Sequence, residues 1–374
     1  MKYAAIGPSS ATAALMRMHP LRAVGLPKTI AQRMKRPSFR MPAEWERHHA
    51  TWLAWPHETS DWPGKFAPIP WVYAEIVRHL SRVEKVRILI ADKDAEQKAR
   101  KILIKSGAQM AAVEFFHEPT NRSWTRDYCP IFVHDPKKAR TLLNWRFNGW
   151  AKYPNSQFDD AVTAKLAPKL NLPLVTPEYN GQRIVLEGGA IDVNGSGAIL
   201  TTEECLLSPI QARNPELTRA DIESIFLQYL GAKQTIWLKN GIAGDDTHGH
   251  VDDLARFTDA RTIAIASEDD KDELNYEPLK ENLAILRKMG VFRIEKLPMP
   301  EPVFFDGQRL PASYANFYIA NDLVLAPTFN DPNDRIAMNK LSQLFPDRKI
   351  VGIGCTDLVL GLGTLHCMTQ QEPA

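Results

Sequence analysis

The sequence contains no apolar run approaching the roughly 18 residues that a membrane-spanning helix needs, so no transmembrane helix is expected. Cysteine is also sparse, with Cys129, Cys205, Cys355 and Cys367 the only four among 374 residues and no CxxC pair between them. That removes the common zinc and dithiol signatures, suits a reducing compartment, and makes the cytoplasm the expected location. Acidic residues are missing altogether from residues 1–43, which hold eight Lys/Arg. The remainder then carries 38 basic and 44 acidic residues, a net charge of about −6 beneath the formal +2 of the whole chain. An acidic body behind a basic segment argues against nucleic acid as the main partner and is compatible with a cationic small molecule.

The acid-free stretch is Arg-rich in the manner of an organelle transit peptide but lacks the apolar centre of a secretory signal. Residues 1–40 are expected to be a disordered tail or an over-called start, with Met34 or Met41 as the true beginning. No low-complexity linker interrupts residues 44–374, and residues 41–374 are read as one domain.

One pattern recurs in that domain. PWVYAEIVRHLSRVEKVRILIAD changes from helical apolar spacing to a continuous Val/Ile run, and ADIESIFLQYLGAKQTIWLKN, EPLKENLAILRKMGVFRIEKLP and AMNKLSQLFPDRKIVGIG do the same. Four helix-then-strand units of similar size predict a repeated α/β assembly, stacked or radial. Polar loops follow the strands: PTNRSWTRDY, GIAGDDTHGHVDD and CTDLVLGLGTLHC. Loops at equivalent ends of repeated strands converge, which lets distant residues build one site.

These loops hold the residues able to do chemistry. Cys367 follows Gly361, Gly363 and His366, so a tight backbone turn can bring a thiol close to a ligand. A single cysteine is more often a small buried hydrophobe, so a nucleophile needs a partner that activates it. GDDTHGHVDD offers His248 and His250 among Asp245, Asp246, Asp252 and Asp253. If His250-Val251-Asp252 is strand-like, His250 and Asp252 share a face, giving a proton-transfer group beside an anion; a metal site is the rival for such spacing. Glu187 ends an apolar run before Gly188-Gly189, and Asp127 lies three residues after Trp124. One thiol, one histidine and three carboxylates suit a planar guanidinium, which carboxylates bind bidentately.

The segments MPAEWERHHATWLAWPH, NRSWTRDYCP, LEGGAIDVNGSGAILTTEECLLS, GDDTHGHVDDLARF, SYANFYIANDLVLAPTFNDPND and GLGTLHCMTQQEP resemble, in order, those of the agmatine deiminase family, related to bacterial peptidylarginine deiminases. The resemblance covers residues 41 to 373. It implies a pentein fold, an α/β propeller of five units about a pseudo-fivefold axis with the active site at its centre. It also implies Cys367 as nucleophile, His250 as general acid/base and Glu187 as the third catalytic residue. Asp127 and Asp252 would grip the guanidinium nitrogens, with Trp124 and Asn316 completing the pocket. The implied reaction converts agmatine to N-carbamoylputrescine and ammonia, in putrescine biosynthesis, without metal or organic cofactor, and a homo-oligomer is expected. The local argument for Asn316 is a polar side chain in an otherwise apolar, aromatic strand, for which an ordinary buried hydrogen bond competes.

Three positions depart from the family pattern: Arg122 where many members have Asp, Cys129 where many have Gly, and His248 where an acidic or amide residue is common. All three border the expected pocket, which leaves the amine substrate open. A peptidylarginine deiminase ranks second. A metal-dependent ureohydrolase using His248, His250 and Asp252, and a non-enzymatic binding pentein, are the further alternatives.

Overall fold

The structure, a computed structural model, describes residues 39–374. Apart from Phe39 and Arg40, the segment expected to be a tail lies outside the described residues. Arg40 exchanges backbone hydrogen bonds with His134 at 2.9 and 2.8 Å and pairs with Glu46.

The first sheet comprises β1 (His48–Ala54), β2 (Lys85–Ile90) and β3 (Val113–His117), all parallel, linked by α1 (Ile69–Leu80) and α2 (Lys93–Ser106). α1 buries Ile69, Tyr73, Ile76, Val77 and Leu80, one apolar stripe at helical spacing, and starts with a proline in its first turn. α2 is capped by the Asp92 side chain and ends at Gly107 in the left-handed region. The second sheet follows as β4 (Ile131–His134), β5 (Arg140–Leu143), α3 (Gln157–Leu170) and β6 (Leu174–Val175). A hairpin, β7 (Glu178–Tyr179) and β8 (Gln182–Arg183), then leads to β9 (Asp192–Val193), β10 (Ala198–Thr202), α4 (Arg219–Leu230) and β11 (Gln234–Leu238). The fourth sheet is β12 (Ala255–Asp259), β13 (Thr262–Ser267), α5 (Tyr276–Met289) and β14 (Arg293–Pro298). A second hairpin, β15 (Phe304–Phe305) and β16 (Gln308–Arg309), precedes β17 (Tyr318–Ile319), β18 (Leu323–Thr328), α6 (Asn333–Leu344) and β19 (Lys349–Gly354). The last strand is β20 (Gln370–Pro373).

In four of the five sheets the first strand runs antiparallel to the second, and the second parallel to the third across a helix. The first sheet obeys the same rule once β20 is counted, because β20 lies antiparallel on β1. Parallel strands covered by helices are buried on both faces, hence the unbroken Val/Ile/Leu runs read from the sequence. All four helix-then-strand units are present, as α1/β2, α4/β11, α5/β14 and α6/β19. Two further units escape the pattern: α2/β3, whose helix buries only Ala99 and Leu103 and whose strand is mostly half-buried, and α3/β6, in which α3 carries Pro168 near its end and β6 is two residues long. The result is a mixed α/β fold of separate sheets, none closed on itself among the described residues.

β20 ties the C-terminal stretch to the first sheet, pairing Gln371 with Thr51 and Gln370 with Trp52. Its buried Glu372 accepts the Trp52 indole N–H at 2.9 Å and pairs with Arg87 and Arg140. Glu372→Ala leaves Arg140 without its anion and Arg87 with Glu114 alone, and is expected to lower the unfolding free energy by about 3 kcal/mol, read as a shifted denaturant midpoint at unchanged slope. Glu372→Gln keeps an acceptor for Trp52 and should lose less.

Candidate active site

The links that enter the antiparallel strands carry the site. Asp127 lies in the helical turn Thr125–Tyr128 ahead of β4, Glu187 precedes the turn Gly188–Ala190 ahead of β9, and Asn316 stands two residues before β17. His250 and Asp252 belong to the link into β12, and Cys367 to the link into β20. All five sheets therefore contribute. Two local expectations change: Val251–Asp253 is a 3-10 turn and not a strand, and Asn316 precedes its strand. The turn still brings His250 and Asp252 to the same site.

Asn316 fastens the cysteine. Its Oδ1 accepts from the His366 N–H at 2.9 Å, the Thr364 hydroxyl at 2.8 Å and the Cys367 N–H at 3.4 Å. Its Nδ2 donates to Asp253 Oδ1 at 2.9 Å and to Cys367 Sγ at 3.1 Å. The side chain expected to contact a ligand is thus occupied in holding the loop that carries the thiol. Cys367 Sγ lies 3.7 Å from Asp252 Oδ2. Burial, together with the anions Asp252, Asp253 and Asp127, pushes the Cys367 thiol well above its ordinary range.

His250 lies between two carboxylates, with Nδ1 3.9 Å from Asp127 and Nε2 3.7 Å from Glu187. Burial alone would favour the neutral ring, but Asp127, Cys205 and Glu187 outweigh it and keep the imidazolium. Glu187 is fully buried and held by Arg213 Nε at 3.0 and 3.3 Å. Burial opposes its ionisation, yet Arg213 and His250 bring it down to about 2. Asp127 accepts the Gly189 N–H at 3.0 Å and the Trp150 indole N–H at 2.8 Å. Burial still raises it to about 6, against the pull of His250. Gly189 has no substitute here: a Cβ would stand 2.5 Å from His250 Nδ1, 2.9 Å from Asp127 Oδ1 and 3.1 Å from Asp252 Oδ2.

Asp252 Oδ2 is bonded to His366 Nδ1 at 2.7 Å, and His366 Nε2 to Glu44 at 2.8 Å. Glu44 also meets Arg126 and Arg256 at 3.1 and 3.0 Å. Burial works against the Asp252 carboxylate, but His366 reverses the balance and lowers its pKa. Two buried atoms here have no hydrogen-bond partner, His250 Nε2 and Asp252 Oδ1. Sequence reasoning missed Glu44, Arg213, His366, Arg256 and Trp150. Each acts through another residue, and only His366, adjacent to Cys367, carried a usable signal.

A cavity of about 420 Å³ opens onto this cluster, with Trp124, Asp127 and Cys367 in its wall. The Trp124 indole packs on Trp62 and covers Gly361, where a Cβ would come within 2.7 Å of both rings. Of the ligands in the metal alternative, His248 has φ +65° and turns to Ser208 Oγ at 3.1 Å and Glu204 at 3.7 Å, away from His250's partners; among the described residues, the buried groups near enough to share an ion are Glu187, Cys205 and His250, and Asp252, Asp253 and Cys367. Of the other two departures, Cys129 is a buried thiol pushed up by burial, and Arg122 lies on the cavity wall paired with Asp61.

A thiol and a carboxylate in the wall of one cavity, backed by an imidazole and further carboxylates, are the equipment of a hydrolase of guanidino C–N bonds. Residues 40–373 match the model of the Porphyromonas-type peptidyl-arginine deiminases, and the chain belongs to that family. A Selenomonas ruminantium protein named "Putative agmatine deiminase" is 36% identical over 91% of this chain and 97% of its own length. The solved C. jejuni agmatine deiminase variant with substrate bound superposes with a TM-score of 0.81 at 34% identity, covering 90% of this chain and 96% of that one. An Enterococcus faecalis agmatine deiminase gives 0.80 at 30% identity, with the same coverage.

Gly189→Ala forces His250, Asp127 or Asp252 aside, and misplacement on the order of 1 Å costs about 100-fold in rate. Steady-state kinetics should show that loss while the circular dichroism spectrum stays unchanged.

Proposed function

We propose that the chain hydrolyses agmatine to N-carbamoylputrescine and ammonia, a step toward putrescine. The observation that carries this reading is buried Asp252, whose Oδ1 has no hydrogen-bond partner, whose Oδ2 lies 3.7 Å from Cys367 Sγ, and whose charge is felt at Asp127. A buried acceptor without a donor costs roughly 1–3 kcal/mol, and a guanidinium brings five N–H donors and a permanent charge. The relatives named agmatine deiminase support the choice of substrate.

In this reading Asp127 and Asp252 hold the guanidinium over Cys367. Three carboxylates keep the free thiol protonated, and the arriving cation offsets them, so the thiol gives its proton to solvent and the thiolate forms when substrate is present. The thiolate adds to the guanidinium carbon, forming the C–S bond. His250 gives its proton to one NH2 group, the C–N bond breaks, and ammonia leaves an amidino-cysteine cation. Neutral His250 then takes a proton from water as its oxygen adds to the same carbon. Collapse breaks the C–S bond, returns the thiolate, and yields the ureido product after loss of a proton. Glu187, anchored by Arg213, keeps His250 in place and charged. Trp124 forms an apolar wall for the methylene chain, and Asn316 positions the cysteine loop.

The same reading takes the five sheets as five units about a pseudo-fivefold axis. Its support is the repeated strand order and the contribution of each unit to one site. A cytoplasmic location, supported by four buried free cysteines, and a homo-oligomeric state complete the proposal.

Three measurements test it. A panel of agmatine, free arginine and a peptidyl-arginine, with ammonia and ureido products quantified, should show agmatine preferred; a peptide preference would favour the peptidylarginine reading. Cys367→Ser should fold yet lose nearly all turnover, and His250→Ala is expected to allow an adduct located on Cys367 by peptide mapping. Because Asp127 is raised to about 6 and must be ionised to hold a cation, kcat/KM should fall about tenfold per unit below pH 6. A pH profile flat down to pH 5 would remove Asp127 from the binding set.

A further inference from the structure

Besides Asp127 at the floor, three acidic residues line the cavity: Asp61, Asp246 and Asp306. Two are neutralised within the chain. Asp61 pairs with Arg122, whose guanidinium also stacks 4.4 Å from the Tyr153 ring centre. Asp246 pairs with Lys152 and accepts the Tyr153 hydroxyl at 2.7 Å. Asp306 stands apart, exposed at the tip of the β15–β16 hairpin, with no ion pair or hydrogen bond to its side chain among the described residues. The outer wall therefore presents one uncompensated negative charge.

From this, and resting on the function proposed above, we infer that Asp306 recognises the primary ammonium at the far end of the substrate and selects an amine-terminated guanidine. The lengths agree. A cavity of 420 Å³ is about 9 Å across if taken as a sphere, and extended agmatine spans about 7.5 Å from guanidinium carbon to amine nitrogen. With the guanidinium against Asp127 and Cys367, the amine reaches the outer wall. Asp61 is less suited, because Arg122 already offsets its charge, whereas Asp306 has no cation beside it among the described residues. Free arginine places a carboxylate near the same charge and is disfavoured by repulsion.

Turn chemistry is the competing explanation. Asp306-Gly307 has φ +48° and +79°, the left-handed pair of a tight hairpin, and Asn180-Gly181 forms the equivalent turn in the β7–β8 hairpin with φ +52° and +79°. That parallel supplies the variant. Asp306→Asn keeps a residue that adopts the turn and removes only the charge.

The test measures wild type and Asp306→Asn on agmatine, on n-butylguanidine, which keeps the four-carbon chain and lacks the amine, and on arginine. The variant should raise KM for agmatine roughly three- to tenfold at nearly constant kcat, leave n-butylguanidine unchanged, and narrow the preference for agmatine over arginine. Unchanged agmatine kinetics, or equal losses on agmatine and n-butylguanidine, would overturn the assignment of Asp306 while leaving the proposed function standing. A wild-type protein that ignores agmatine but turns over another guanidine would overturn the proposed function itself.

Discussion

Negative charge buried around one thiol is the constraint on which the rest of the structure depends. Asp127, Glu187, Asp252 and Asp253 are all removed from water, with at most 5% of each residue exposed. Such groups stay charged only where cations and donors are fixed beside them. The chain meets this unevenly. Glu187 and Asp252 are compensated by Arg213 and His366, whereas Asp127 and Asp253 are left with raised pKa values. In the proposed function a cationic substrate completes the set by meeting raised Asp127 and the unpartnered oxygen of Asp252, so affinity and ground-state frustration have the same origin.

Compensation for Asp252 passes from His366 to Glu44 and on to Arg126 and Arg256, with Arg256 also bonded to Asp192 at 2.8 Å. These residues come from separate parts of the chain, and an error in any one leaves a buried charge unpaired. A network of this kind makes the relative placement of the units part of the chemistry. Rigid placement is also what Gly189 imposes at the other side of the cluster, where backbone touches imidazole and carboxylate without a spacer.

Much of this was legible in the sequence because hydrophobic periodicity and loop chemistry are local. The change from helical spacing to Val/Ile runs located four helix–strand units, and polar loops after strands located Asp127, His250, Asp252 and Cys367. The unit built on α3 was hidden by Pro168 and a two-residue strand, features that local pattern does not weigh. The Val251–Asp253 turn was mistaken for a possible strand because side chains two apart share a face in one and can reach one site in the other. Arg213 and Glu44 were invisible for a different reason. Their function lies in long-range pairing, 26 residues away for Arg213 with Glu187 and 322 for Glu44 with His366, and nothing in their own surroundings announces it.

The pairing of β20 on β1 gives the protein a temporal order as well as a shape. β1 is among the first strands to leave the ribosome, yet its antiparallel neighbour is synthesised about 320 residues later. Domains fold as they emerge, N-terminal parts first, so the helix-linked strands can assemble while β1 still lacks one partner. Cys367, the nucleophile of the proposed function, lies immediately ahead of that missing strand. On the proposed function, a chain that stops short of this link has no thiol at the site, and hydrolysis waits for closure of the first sheet to set Cys367 in place. Until β20 docks, β1 presents an open edge, the mark of an unfinished chain.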